Sequence, residues 1–287
     1  MMKKYLNIYF FIILNLILSI KIVKSSYSNS PPDFSFLETT AKTFLSYSYV
    51  TYCDIDDISN WTCTTCKHSD VEAFTIVNTI YNDTTDTQAY VGYIGNEVIV
   101  AFRGSMDIQS WITNLQFLQI VYPLYPSAKV HSGFYDSWSS VREQVKSSID
   151  LALKQCGKQC NEIKVTGHSL GAALATLAIA EIQGWYSIPS TMYNFGSPRV
   201  GDSVFAEYFN SIQPNVIRVT YEQDLVPHVP PENVLNYHHI PTEVYFNTNS
   251  TFKTCDDSGE DQTCADSTIG YSIYDHLTYF GMHCCCR

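Results

Sequence analysis

The sequence predicts an α/β fold, a mostly parallel central sheet covered by helices, on three observations. Strand-like and helix-like segments alternate through the second half of the chain. The stretch VTGHSLGAAL (165–174) passes from a β-forming run straight into an alanine-rich one. A chain of 287 residues, about 260 after a leader is removed, fits one large α/β domain.

In chain order, Lys3 and Lys4 precede an apolar run ending in Val23-Lys24-Ser25, the pattern of a secretory signal peptide over residues 1–25. Residues 26–287 are then the single domain. Mixed helical spacing over 34–53 predicts a helix packed on the outside of the domain, and 54–70 reads as a polar loop. Ala89–Ile94 and Glu97–Phe102 read as strands joined by a Gly95-Asn96 hairpin turn. Trp138, Val141, Val145, Ile149 and Leu153 recur at steps of three or four, which predicts a helix over 134–156. The strand 162–166, a helix over 170–183, a strand 191–195, a helix 202–212 and strands 216–221 and 243–246 complete the alternation.

The formal charge is −11, and loss of the four leader lysines takes it to −15. Such an acidic chain argues against nucleic acid and against strong attraction to anionic membranes. Ten cysteines behind an export signal read as disulfides. Cys63-Thr-Thr-Cys66 could also be a zinc half-site or a redox pair, but it lacks a second ligand pair and a strand–helix setting, so a small structural loop is expected. Cys156 with Cys160, and Cys255 with Cys264, can close local loops; Cys53 has several candidate partners at Cys284, Cys285 and Cys286. Asn60, Asn82 and Asn249 stand in glycosylation tripeptides.

The chemistry centres on Gly167-His168-Ser169-Leu170-Gly171. A turn tight enough to expose a serine hydroxyl brings strand and helix backbones together, so side chains at 167 and 171 would clash. The following helix start also offers free N–H groups. Ser169 is therefore the candidate nucleophile, while His168, leaving the turn in another direction, is expected to pack. Serine needs a base, and the base a carboxylate to hold its tautomer. On this kind of sheet both follow in the order Asp, then His. Asp224 follows the strand 216–221 and leads into prolines, with Glu222 as fallback. Of His228, His238, His239, His276 and His283, His276 lies in a near-terminal loop with apolar neighbours. No metal or other cofactor is needed for this chemistry.

Taken together, VIVAFRGS (98–105), VHSGFYDSW (130–138), VTGHSLGAALA (165–175), NFGSPRVG (194–201), DLVPHVPP (224–231) and DHLTYFG (275–281) resemble the class 3, fungal-type secreted lipases and their feruloyl esterase relatives. The resemblance spans about 35–284. It implies an α/β-hydrolase fold with a short lid helix, Ser169 as nucleophile, Asp224 as orienting carboxylate and His276 as base. It places an oxyanion hole at Ser105 and the Leu170 N–H, two donors for the charge that develops on the carbonyl oxygen. It also implies the pairs Cys63–Cys66, Cys255–Cys264, and Cys53 with Cys284 or a neighbour.

Ile108, Trp111, Ile112 and Leu115 fall at i, i+3, i+4 and i+7, one apolar stripe if helical. Such a stripe ordinarily packs into a core. In the family it belongs to a lid that turns toward lipid, which favours a triacylglycerol lipase working at a lipid–water interface. Feruloyl esterase and phospholipase A1 activities are alternatives on the same triad. A lipase-like binding protein without catalysis is an alternative of another class.

Overall fold

The computed structural model describes residues 36–212, 215–248 and 251–286. The expected leader 1–25 and Asn249 lie outside these residues.

The chain begins with α1 (Glu38–Val50) and a short α2 (Ile55–Ser59), then β1 (Thr75–Asn82), β2 (Thr87–Ile94) and β3 (Glu97–Phe102). Next come α3 (Ile108–Asn114), β4 (Gln119–Val121), β5 (Lys129–His131) and the long α4 (Ser132–Cys156). There follow β6 (Glu162–His168), α5 (Leu170–Trp185), β7 (Ser190–Phe195), β8 (Gly201–Asp202), α6 (Ser203–Ile212) and β9 (Val216–Tyr221). The chain then runs through β10 (Tyr237–His238), β11 (Glu243–Phe246), β12 (Phe252–Thr254), a single-turn α7 (Ile273–His276), β13 (Thr278–Tyr279) and β14 (Met282–His283).

Among the described residues the main sheet has eight strands in the order β1-β2-β3-β6-β7-β9-β11-β12. From β3 to β11 all pairings are parallel, and the outer pairs are antiparallel. This is the α/β-hydrolase arrangement. Parallel strands need helical crossovers, and these bury both faces, so β7 reads as an uninterrupted buried run. The core gathers Val98, Val100 and Phe102 with Trp138, Val145, Val165, Leu174 and Met192.

Several elements depart from the expectation. The first helix is an outer-layer helix by position, yet Phe44 through Val50 are all buried, because Ser46 and Ser48 are covered as fully as their apolar neighbours. The 54–70 loop carries α2 and a 3₁₀ turn. β1 was not legible, because an edge strand with one half-exposed face has no continuous apolar run. Leu115 caps α3 in an extended conformation, so the apolar stripe is a helix of three positions plus the residue beyond it.

All ten cysteines are paired. Cys63–Cys66, Cys156–Cys160 and Cys255–Cys264 close local loops. Cys53 pairs with Cys286, and Cys284 pairs with its neighbour Cys285. The named partner Cys284 is thus replaced by a residue two further along; three adjacent cysteines share one spacing signal, and only the course of the last strand separates them. At the glycosylation tripeptides, Asn60 is exposed, while the Asn82 amide donates to the Ser140 carbonyl at 3.3 Å. No helix among the described residues is long and apolar enough to cross a membrane.

Candidate active site

Ser169 sits between β6 and α5 with φ 61° and ψ −130°, a conformation that non-glycine residues rarely adopt and that costs on the order of 1–3 kcal/mol. The surrounding packing holds it there. A Cβ on Gly167 would lie 2.1 Å from the Gly171 carbonyl oxygen, and one on Gly171 would lie 2.2 Å from the Phe102 carbonyl oxygen. Strand, turn and helix therefore meet backbone to backbone. Leu170 opens α5, so its N–H has no carbonyl four residues back inside the helix.

Asp224 follows β9 in a tight loop, its N–H donating to the Tyr221 carbonyl. His276 ends α7 rather than lying in a loop. The turn forms because Ser272 Oγ accepts from the Asp275 N–H, and it docks on the aspartate loop through the Ser272 N–H to Gln223 carbonyl bond at 2.7 Å. Gln223 N–H donates back to Asp275 Oδ2. These contacts bring His276 Nδ1 to 2.8 and 3.0 Å from the two oxygens of Asp224. The carboxylate only accepts, so Nδ1 carries the proton and Nε2 is the basic nitrogen.

Asp224 also accepts from the Tyr279 hydroxyl at 2.5 Å and the Val226 N–H at 2.8 Å. Burial opposes its charge, but the His276 ring and these donors outweigh burial and lower its pKa. Tyr279 was not identified from the sequence; its place three residues after His276 was the available signal. Gly196 is a second such residue. It has φ 55°, and a Cβ there would sit 2.7 Å from Asp224 Oδ2 and 2.9 Å from His276 Nδ1. Gly196→Ala is expected to lower kcat about 100-fold by displacing this pair, with KM changed less than threefold; steady-state kinetics on a soluble ester check it.

Among the described residues, Ser169 Oγ and His276 Nε2 are both buried and without a hydrogen-bond partner. The other candidates point elsewhere. Glu222 accepts from the Thr248 N–H, His238 meets the Ser258 carbonyl, His239 the Pro227 carbonyl and His283 the Thr278 hydroxyl. His228 lies 3.5 Å from Asp266.

A cavity of about 580 Å³ is lined by Ser105, Leu170, Trp111, Leu115, His131 and Phe134 among others. Trp111 stacks on Phe134 at 6.2 Å and 17°. Ile108 is buried and Ile112 half-buried. Asp107 caps α3, accepting from both the N–H and hydroxyl of Ser110. Gly104, the residue before Ser105, lies against Ser169: a Cβ there would fall 2.9 Å from Ser169 Cβ.

The fold is that of an α/β hydrolase, with His276 hydrogen-bonded to Asp224 and its carbonyl hydrogen-bonded to His168, the residue before Ser169. A family model described as lipase (class 3) matches residues 99–234. The lipase of Rhizomucor miehei is 34% identical over 234 residues, covering 78% of this chain and 63% of that protein. Secreted mono- and diacylglycerol lipase 1 of Fusarium solani is 33% identical over 225 residues, 75% of this chain and 66% of that protein. The chain thus spans slightly under two thirds of these curated relatives. Among solved structures, a triacylglycerol lipase whose catalytic centre is a serine protease triad is 30% identical with a TM-score of 0.78, over 85% of this chain and 94% of that one. The chain belongs to the class 3 lipase family.

Proposed function

We propose that this chain is a secreted triacylglycerol lipase in which Ser169 forms an acyl-enzyme, His276 moves the proton and Asp224 orients His276. One observation carries the reading: two buried polar atoms, Ser169 Oγ and His276 Nε2, lack partners among the described residues, and the other nitrogen of the His276 ring is fixed on a carboxylate. Eight other buried side-chain atoms also lack a partner among the described residues, but here one is a hydroxyl held in a strained strand-to-helix turn and the other the free nitrogen of a ring fixed on a carboxylate, a nucleophile and a base that an incoming ester would complete.

In the first step Ser169 Oγ attacks the ester carbonyl carbon, and its proton passes to His276 Nε2. The carbonyl oxygen becomes an oxyanion, met by the Leu170 N–H and by Ser105. Asp224, held anionic by its donors, stabilises the imidazolium. The C–O bond breaks, the alcohol leaves with the proton from His276, and water repeats the sequence in reverse to free the acid. The signal peptide 1–25 would be removed, leaving 26–287 as one catalytic domain. The relatives' names, lipase and mono- and diacylglycerol lipase, support an acylglycerol substrate.

The segment 107–115 would act as the lid, with Ile108, Trp111, Ile112 and Leu115 turning toward lipid. Wild-type protein is expected to release fatty acid from emulsified triolein in preference to dipalmitoylphosphatidylcholine and methyl ferulate. Trp111→Ser is expected to cost about tenfold on triolein, the worth of part of one indole's burial, with butyrate esters within twofold. Turnover of phospholipid or ferulate alone would overturn the substrate, and an unchanged triolein rate in Trp111→Ser would overturn the lid.

A further inference from the structure

We propose that His168 and Tyr52 are positioning residues that hold the main chain of His276, so that the residue next to the nucleophile fixes the base. The proposal rests on the roles given above to Ser169 and His276 and concerns residues outside the triad and oxyanion hole.

His168 is fully buried, and both ring nitrogens are engaged. Nε2 lies 2.8 Å from the His276 carbonyl oxygen and Nδ1 lies 2.8 Å from the Tyr52 hydroxyl. A carbonyl only accepts, so Nε2 carries the proton. Burial, and then the charge of the neighbouring His276, lower the pKa of His168 to about 3, so the ring is neutral. Nδ1 is then bare and must accept from Tyr52 O–H. One tautomer satisfies the whole chain.

The contact falls where the fold needs it. His276 ends a single helical turn, in which the Leu277 N–H serves the Ile273, Tyr274 and Asp275 carbonyls and leaves that of His276 to be met from elsewhere. The His276 carbonyl receives its hydrogen bond from β6, the strand that carries Ser169. The two rings also stack, centroids 4.4 Å apart at 29°. Nucleophile and base, 107 residues apart, are therefore referenced to each other through adjacent residues. Tyr52 is anchored in turn: a Cβ on Gly104 would sit 2.1 Å from its hydroxyl, and its neighbour Cys53 is bonded to Cys286 beyond the His276 turn.

Three single variants and one double variant test this. His168→Phe keeps ring and volume but removes both bonds, and is expected to lower kcat on a soluble ester about 30-fold with KM within twofold, since small displacements of a base cost up to about 100-fold. His168→Gln, whose amide can still donate to the carbonyl, is expected to recover at least a third of wild-type kcat. Tyr52→Phe is expected to lose about fivefold, and the double variant Tyr52→Phe/His168→Phe to match His168→Phe alone, because both act along one chain. Inactivation rates with an alkyl phosphonate should fall in the same order. A kcat unchanged in His168→Phe, no rescue by Gln, or multiplicative losses in the double variant would overturn the proposal. If His168→Phe fails to fold, Tyr52→Phe with unchanged kcat overturns it alone. Ser169→Ala in parallel separates the two readings: full activity there defeats the triad, whereas a dead Ser169→Ala beside a fully active His168→Phe defeats only the positioning.

Discussion

Ser169→Ala is expected to abolish ester hydrolysis, with kcat falling about 10⁶-fold on both triolein and a soluble ester, the magnitude lost when the nucleophile of such a unit is removed. The residual rate above water, about 10³-fold, would come from the proposed oxyanion donors at Leu170 and Ser105, which the substitution leaves in place. Stability should move the other way. Ser169 Oγ is buried without a partner, so its hydroxyl is desolvated for no return in the free protein. Alanine removes that cost, on the order of 1 kcal/mol, and keeps the same strained backbone. Thermal melting beside kinetics makes the test specific: loss of activity with an equal or higher Tm is the signature of a functional group held against stability. Wild-type rates in the variant would remove Ser169 from the mechanism, and loss of activity with a collapsed Tm would make it a structural residue.

The strand-to-helix turn at Ser169 was legible because everything it needs is local. A strand, two glycines and a small-residue helix occupy adjacent positions, and a Cβ at either glycine meets backbone within a few residues or on the neighbouring strand. Asp224 was legible for a related reason, as a carboxylate just past a strand end. His276 was not separable from four other histidines by spacing; the family resemblance selected it, and the docking of α7 on the Gln223–Asp224 loop supplies the reason. Gly196, Tyr279 and the His168 contact share a property that kept them hidden. Each acts across 28 to 108 residues of sequence, on a geometry that exists only after β6, β7 and β9 lie side by side. His168 shows the limit well. Reading it as packing was right about its burial and incomplete about its two hydrogen bonds.

Acid should unfold this protein steeply, and buried neutral histidines are the reason. His131 accepts the Phe134 N–H on Nδ1 and stacks on Phe134, and burial lowers its pKa to about 4. His168 is lowered to about 3, and His239, buried beside Arg218 and Arg199, well below its ordinary value. In the unfolded chain each would titrate near 6.5. Below that pH the unfolded state binds protons that the folded state refuses, so stability falls as pH falls. The contribution is complete above about 6.5 and is lost progressively down to about 4 for His131 and about 3 for His168. Each group contributes about 1.4 kcal/mol per pH unit inside its window, so the three together reach roughly 4 kcal/mol per unit near pH 5. Asp224, with its lowered pKa, adds a loss in the same direction at lower pH. Urea unfolding at pH 7, 6 and 5 should show a falling midpoint at constant m, equivalent to an uptake of two to three protons. His131→Gln should remove about one proton from that uptake, because glutamine offers the Phe134 N–H an acceptor without a titrating ring. A midpoint unchanged between pH 7 and 5 would mean that these rings accept protons in the folded state, and the tautomer assigned to His168 would fall with them.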